Sequence, residues 1–482
     1  MMNPLLLTIF SIFALAGCNS SEAPKSAEPT ATAEQAAVTQ NGGGLPANYV
    51  NGIDERNAGD KKGPIQLSGV TRNAPANTRM YLYETEGKTQ SVIDSANIVN
   101  GAWDFGTKDY RRGFYMMGFN GDLNNMYPVI LNPDESKVEL TFNSTRLSGG
   151  GTAPQGSENA AWFTYRQNEV RKQGEIRNLR GQLRDAALRE RIEKQISDKE
   201  AELRLMTTDA IKANPGSFLA KFLTWKYSAY PNEKGRYWED IDFTDESIVR
   251  TPIMNDRVQE YMRAHSGGEF QGFINCVDLL KAKAEVNPRV LEFTLYVMLD
   301  GFYQSGMEDV CQYILDSYIF DDDCGANLSD VVKQRAEGIV NLQIGKTPPN
   351  WKAPTPEGKM VDFMSEVKKN EYTLLFFWAS WCHKCEQEMP VLNKVYDVYK
   401  SRGFNVIGFS VDGERSQWLQ GIEAKQAGRW PNVSQLMSWD SPVSRDYRIT
   451  QTPTSFLINR KGEIVLKPKR IFEVEQFLQK NL

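Results

Sequence analysis

The stretch Tyr372-Thr-Leu-Leu-Phe-Phe-Trp-Ala-Ser-Trp-Cys-His-Lys-Cys385 decides how the C-terminal part of this chain folds. Its first eight residues, Tyr372 to Ala379, form an apolar run without polar alternation, the pattern of a strand buried on both faces. Two cysteines three apart follow, at the start of a helical pattern interrupted at Pro390, where an interior proline is expected to kink the helix. Cys382 falls at the helix N-terminus, where free N–H groups and the macrodipole favour a thiolate. Cys385, nearly one turn further on, is within bonding reach, so the pair has the geometry of a reversible dithiol/disulfide couple. The same spacing is also half of a zinc site. A structural zinc needs two more ligands, and the chain has no second Cys-x-x-Cys. Its only histidines are His265 and His383, and Cys18, Cys276, Cys311 and Cys324 are irregularly scattered. The redox reading is preferred, and no metal and no cofactor beyond the redox-active disulfide are expected.

Around this core the motifs accumulate in order. Gly345-Lys-Thr-Pro-Pro-Asn-Trp351 and Gly358-Lys-Met precede it; Glu388 and Pro390 follow. Phe404-Asn-Val-Ile-Gly-Phe-Ser-Val-Asp412 reads as the next parallel strand, and Thr452-Pro453-Thr454 leads into Ser-Phe-Leu-Ile458 and a turn at Lys461-Gly462. Residues 345–482 thus resemble the TlpA/ResA branch of the thioredoxin superfamily over the whole module, which implies an α/β thioredoxin fold and thiol:disulfide oxidoreductase activity. The resemblance makes Cys382 the attacking thiolate, exposed, and Cys385 the shielded resolving thiol. It makes Thr452-Pro453 the family's cis-proline loop, with the Thr452 backbone free to pair with an extended substrate segment, and it adds Trp381 to the substrate-binding face.

Two departures from ordinary thioredoxins refine that picture. Phe376 stands where they carry a buried aspartate, and Glu388, three residues after Cys385, takes the place of the glutamate of TlpA/ResA-like proteins. On a helix Glu388 shares a face with Cys385, and a partly buried carboxylate there is suited to exchange a proton with it. His383 and Lys384 lie between the cysteines; as cations they stabilise the thiolate and modulate the couple toward oxidising behaviour. The family resemblance implies the opposite direction, reduction of selected disulfides in protein substrates with electrons from a membrane thiol reductase, and that direction is favoured. Thiol peroxidases need threonine three residues and proline seven residues before the reactive cysteine; Ala379 and Leu375 stand there instead, which speaks against a peroxidase.

The N-terminus points to a compartment. Leu5 to Ala16 is apolar but too short to span a bilayer, and Leu15-Ala-Gly-Cys18 resembles a bacterial lipoprotein signal, with residues 1–17 removed and Cys18 lipidated. Residues 18–62 are rich in Ala, Ser, Glu, Thr and Pro in their first half and read as a flexible tether. The expectation is a lipid-anchored, extracytoplasmic protein, facing the periplasm. At 482 residues the chain suits several domains. A net charge of −5 with mixed signs argues against nucleic acid as a partner.

Residues 63–147 read as an all-β unit. Gln66–Val70, Met80–Tyr83, Ser91–Ser95, Trp103–Phe105 and Lys137–Phe142 alternate between turn signals such as Asn100-Gly101. With Pro128-Val-Ile-Leu131 the unit resembles a β-sandwich domain of unknown function found before thioredoxin modules in bacterial lipoproteins, a spacer or docking surface. Residues 155–340 read as helical. Val170, Ile176, Leu179, Leu183, Leu188, Ile192 and Ile196 mark a long amphipathic helix folded back near 184–187, serving the protein's own core more readily than a dimer. Tyr237–Phe243 and Arg250–Ile253 resemble another accessory segment of such lipoproteins. Asp321-Asp-Asp323 lacks EF-hand spacing and reads as a solvated loop. The loop 321–325 allows Cys324 to return toward Cys311, so a structural disulfide between them stays open beside two free thiols; with the bond formed, Cys276 would be a buried free thiol. A second functional class stays open: a binding or scaffolding lipoprotein whose redox pair is regulatory or vestigial.

Overall fold

The structure, a computed structural model, describes residues 61–74, 78–119, 125–143, 146–183, 188–321 and 328–482. The leader, Cys18, all but the end of the tether, the expected bend at 184–187, Asp322, Asp323 and Cys324 lie outside the described residues. Strands β1 (Lys62–Thr71), β2 (Arg79–Glu86), β3 (Thr89–Asn97), β4 (Ala102–Arg111), β5 (Gly113–Phe119), β6 (Met126–Leu131), β7 (Lys137–Phe142) and β8 (Gly151–Thr152) make two four-stranded sheets, in the orders β4-β1-β7-β8 and β3-β2-β5-β6. Alternation does the sorting: Ile65 and Leu67 in β1, Met80 and Leu82 in β2, and Val138, Leu140 and Phe142 in β7 are all buried. Asn100 and Gly101 both take positive φ, the requirement of a tight two-residue turn leading into β4. The sequence reading did not single out β5. It sits between β2 and β6, and Gly113-Phe-Tyr-Met-Met-Gly-Phe119 is buried almost throughout, so it lacks the alternation that marked the others.

Eight helices follow among the described residues up to Val340: α1 (Glu158–Gly181), α2 (Arg189–Ala213), α3 (Phe218–Lys226), α4 (Ile253–His265), α5 (Phe270–Ala284), α6 (Pro288–Gln304), α7 (Glu308–Ile314) and α8 (Asp330–Val340). Helices α1 and α2 pack on each other, with Lys172 paired to Glu202 at 2.7 Å and Arg180 to Glu200 at 2.8 Å. Only part of the expected apolar stripe is covered. Ile176 and Ile192 are buried, whereas Val170 and Leu188 face solvent. The helical expectation also fails over residues 227–252, which form turns and one short 3-10 helix, Glu246–Arg250. Pro231, Gly235 and Pro252 break regular structure there. The buried Arg257 holds this stretch by donating to Trp225 O at 2.7 Å and Tyr237 O at 2.6 Å and pairing with Asp240 at 3.1 Å. The sheets and these helices share one continuous apolar cluster, joined where Phe114 of β5 meets Trp162, Phe218 and Phe222.

The C-terminal module has its own core. A short hairpin, β9 (Lys352–Pro354) and β10 (Met360–Asp362), and helix α9 (Phe363–Val367) lead into β11 (Tyr372–Trp378), α10 (His383–Tyr399), β12 (Phe404–Ser410), α11 (Arg415–Ala424), β13 (Asn432–Ser434), α12 (Pro442–Asp446), β14 (Thr454–Asn459), β15 (Ile464–Leu466) and α13 (Ile471–Asn481). The five-stranded sheet runs β13-β12-β11-β14-β15, with β11 parallel to β12 and antiparallel to β14. Leu374 to Ala379 are wholly buried, as the unbroken apolar run requires. Helix α10 continues through Pro390 and packs on α13.

Candidate active site

The site grows from the end of β11. Trp378 accepts a hydrogen bond from Val411 N, which keeps β11 and β12 paired to their C-terminal ends. The next residues are gripped by one carboxylate. Asp412, completely buried at the end of β12, accepts from Ser380 N at 3.0 Å and from the hydroxyls of Ser380 and Ser410, both at 2.7 Å. Ser380 is thereby fixed two residues ahead of Cys382. Gly421 of α11 closes this loop from the other side, since a side chain there would meet Ser380 Cβ at 2.8 Å.

Cys382 is the N-cap of α10, and its sulfur accepts a hydrogen bond from Cys385 N at 3.0 Å. That donor and the helix N-terminus favour negative charge on the Cys382 sulfur. Cys382 and Cys385 are joined as a disulfide, with Cα atoms 5.3 Å apart. Cys382 is 5% exposed and Cys385 is fully buried. The order of exposure is the expected one, but Cys382, bonded to Cys385 at the N-cap of α10, is far less exposed than anticipated. Thr452–Pro453 is a cis peptide. Phe377 lies opposite Thr454 in the sheet, so Thr452 and Pro453 sit at the same end of the sheet as the chain leaving β11 for Cys382.

The remaining expected residues separate into two groups. Glu388 is half-buried, and its Oε2 accepts from Ile471 N at 2.8 Å, capping the first turn of α13. His383 faces solvent; its Nδ1 lies 3.5 Å from Glu386 Oε2 and its Nε2 3.3 Å from Gln387 Nε2, and Lys384 is likewise exposed. Phe376 is buried in the strand. Trp381 stands 55% exposed beside the couple.

Two features were not foreseen. One is the clamp at Asp412, a residue the sequence marked only as a strand end. The other is the loop after β13. Leu436 and Ser438 adopt left-handed backbone conformations, which cost energy in residues with a side chain. The loop sets Trp439 edge-on to Trp381, ring centroids 5.8 Å apart, and leaves Met437 51% exposed. Trp381 of this pair is the residue directly before Cys382. No periodicity or motif in Gln435–Trp439 signals this.

The other described cysteines are outside this chemistry. Cys276 and Cys311 are buried and free among the described residues, and the bond considered between Cys311 and Cys324 falls on a residue outside them. Burial raises both thiols, that of Cys311 to about 12. Among the described residues, no cluster of three or more His, Cys, Asp or Glu is arranged to hold a metal, and no helix is long and apolar enough to cross a membrane.

Residues 344–467 match the AhpC/TSA family. A thiol-disulfide oxidoreductase ResA of Bacillus cereus is 30% identical over 142 residues, covering 29% of this chain and 79% of that protein. ResA of Bacillus subtilis (strain 168) is 28% identical over 128 residues, 27% of this chain and 68% of that protein. Among solved structures, a thiol-disulfide oxidoreductase from Bacteroides fragilis is 27% identical and is covered completely by 28% of this chain, with a TM-score of 0.27.

Asp412→Ala should lower stability by about 2–3 kcal/mol, because it strands the half-buried Ser380 N–H and removes the acceptor of two hydroxyls. Asp412→Asn, which keeps one acceptor oxygen, should lose less. Thermal unfolding of the two variants checks the ranking, and equal melting temperatures would count against the clamp.

Proposed function

We propose, on the premise that through its C-terminal module this chain belongs to the ResA thiol-disulfide oxidoreductases, that it reduces disulfides of protein substrates outside the cytoplasm. The observation that carries the reading is the graded pair: Cys382 at the helix N-cap with a backbone N–H on its sulfur, and Cys385 sealed beneath it. In the reduced form the Cys382 thiolate attacks one sulfur of a substrate disulfide and forms a mixed disulfide, releasing the other substrate sulfur as a thiolate. Cys385 then loses its proton and attacks Cys382 Sγ. The second substrate thiolate leaves, and the Cys382–Cys385 disulfide holds the oxidising equivalent. Two electrons pass from the dithiol to the substrate, and a membrane thiol reductase returns them.

In this reading Glu388 takes up the Cys385 proton, with its place set by the hydrogen bond from Ile471 N. Trp381 and the Thr452 backbone hold the extended substrate segment beside the sulfurs. His383 and Lys384 face solvent and modulate the couple weakly. The short apolar stretch at residues 5–16 and Leu15-Ala-Gly-Cys18 support lipid anchoring at Cys18 and an extracytoplasmic, periplasm-facing location. The two N-terminal sheets are read as a β-sandwich that acts as spacer or docking surface. A binding role for them is favoured by an open depression of about 670 Å³ between β1, β4 and β7, beside the exposed Val70 and Val99.

Cys385→Ala should accumulate mixed disulfides through Cys382, whereas Cys382→Ala should abolish turnover and trap nothing. Non-reducing gels with a disulfide-bonded protein substrate read this out, and equal trapping by both variants would refute the assignment. A purified protein that binds partners without turnover would favour the binding role instead.

Direction is tested by equilibration with glutathione. A reductant should give a potential near thioredoxin's, about −270 mV, while a value near that of strong oxidants, about −120 mV, rules reduction out.

Glu388→Gln should keep the fold and slow the resolving step most near neutral pH. Rapid-mixing measurements across pH check it, and an unchanged pH profile removes Glu388 from the proton path.

A further inference from the structure

One corner of the helical region touches the redox module at two places, and both lead to the site. From the end of α6, Asp300 pairs with Arg448, and Gln304 Oε1 accepts from Thr450 Oγ at 2.7 Å. Arg448 and Thr450 open the segment that ends in Thr452-Pro453. From the turn into α7, Glu308 pairs with Lys467 at 2.8 Å and Ser305 O accepts from Lys469 Nζ at 3.5 Å. Lys467 and Lys469 lie in the link between β15 and α13, and that link ends at Ile471, whose N–H holds Glu388. Tyr303 stands between the two contacts. Its ring centroid is 4.3 Å from Lys467 Nζ and 5.8 Å from Arg448 Cζ, and it packs against the apolar cores of both parts of the molecule.

These contacts are not a loose surface touch. The side chains of Arg448 and Lys467 are mostly covered, and Arg448 is held in a left-handed backbone conformation immediately before Ile449. Partly desolvated ion pairs of this kind fix geometry more firmly than exposed ones. A displacement of the corner would therefore move the segment that leads to Thr452.

We propose that the corner Asp300–Glu308 is a positioning element of the redox site, with Asp300 and Gln304 setting the substrate-binding segment 450–453 and Glu308 anchoring the corner to the module. The helical region then has a part in the exchange reaction. It holds the edge along which an extended protein substrate is laid, so its effect falls on substrates that reach beyond their own disulfide and not on the intrinsic reactivity of Cys382. This rests on the redox reading above.

The test uses the full chain, a peptide containing one disulfide, and a small aromatic disulfide as control. In Asp300→Asn/Gln304→Ala, KM for the peptide should rise about fivefold. Its kcat, its turnover of the small disulfide and alkylation of Cys382 by iodoacetamide should stay within about twofold of wild type. Asp300→Glu should restore most of the peptide KM. If the double variant does not fold, Gln304→Ala, an exposed change, supplies the same comparison. A peptide KM equal to wild type overturns the proposal, as does an equal loss on both substrates. A wild-type chain that reduces neither disulfide sinks the redox reading, and this proposal with it.

Discussion

Burial of β11 on both of its faces is the constraint from which the redox site follows. A strand between a parallel and an antiparallel neighbour must satisfy its backbone on both edges and cover its side chains above and below. Leu374 to Trp378 meet that demand with large apolar groups alone. The chain then leaves the sheet at a fixed place and direction, and Asp412 catches it at once through Ser380. Cys382 arrives at the N-terminus of α10 with its sulfur already facing a backbone donor. The reactive group therefore sits just beyond the C-terminal ends of the parallel strands, where open α/β sheets place their ligands.

The molecule is built around two apolar cores, and the boundary between them does not fall where the change from strands to helices does. The N-terminal sheets and the helices that follow bury one cluster, with Phe114, Trp162, Phe218 and Phe222 at the joint. Strands of that length, with one face left for helices to cover, are completed by the chain that comes next. The redox module keeps a separate core and meets the rest through charged and hydrogen-bonded contacts around Tyr303, the character expected where domains join within a chain.

What could be read from the sequence was local. The apolar run to Ala379, the pair Cys382 and Cys385, and Thr452-Pro453 carry their meaning within a few residues, and each has its geometry in the structure. Partners distant in sequence were not legible. Asp412 is 32 residues from Ser380, and Ile471 is 83 from Glu388; nothing in the neighbourhood of either residue names the other. Strand β5 was hidden for a different reason. Its two buried faces erase the alternation that identified β1, β2 and β7. Residues 227–252 misled in the opposite way, since their aromatic and apolar content fits a helix but their prolines and Gly235 do not. Arg257 ties Tyr237 O of that stretch to Trp225 O near the end of α3.

The same geometry bears on the direction of electron flow. His383 and Lys384 would favour a thiolate at Cys382 if they lay against it, and a stabilised thiolate makes a couple more oxidising. Both are solvent-exposed, and His383 is turned toward Glu386 and Gln387. Exposed charges are screened over roughly 8–10 Å at ordinary ionic strength and lose most of their effect on a neighbour. What remains near the sulfur is the backbone: the N–H of Cys385 and the N-terminus of α10. Meanwhile Cys385 has no exposed surface from which to react, and burial holds the Cys276 and Cys311 thiols in their protonated form. Among the described cysteines, Cys382 alone combines a donor on its sulfur with a path to solvent. Of the two cations expected to push the pair toward an oxidant, His383 is turned to Glu386 and Gln387, and both His383 and Lys384 stand in solvent.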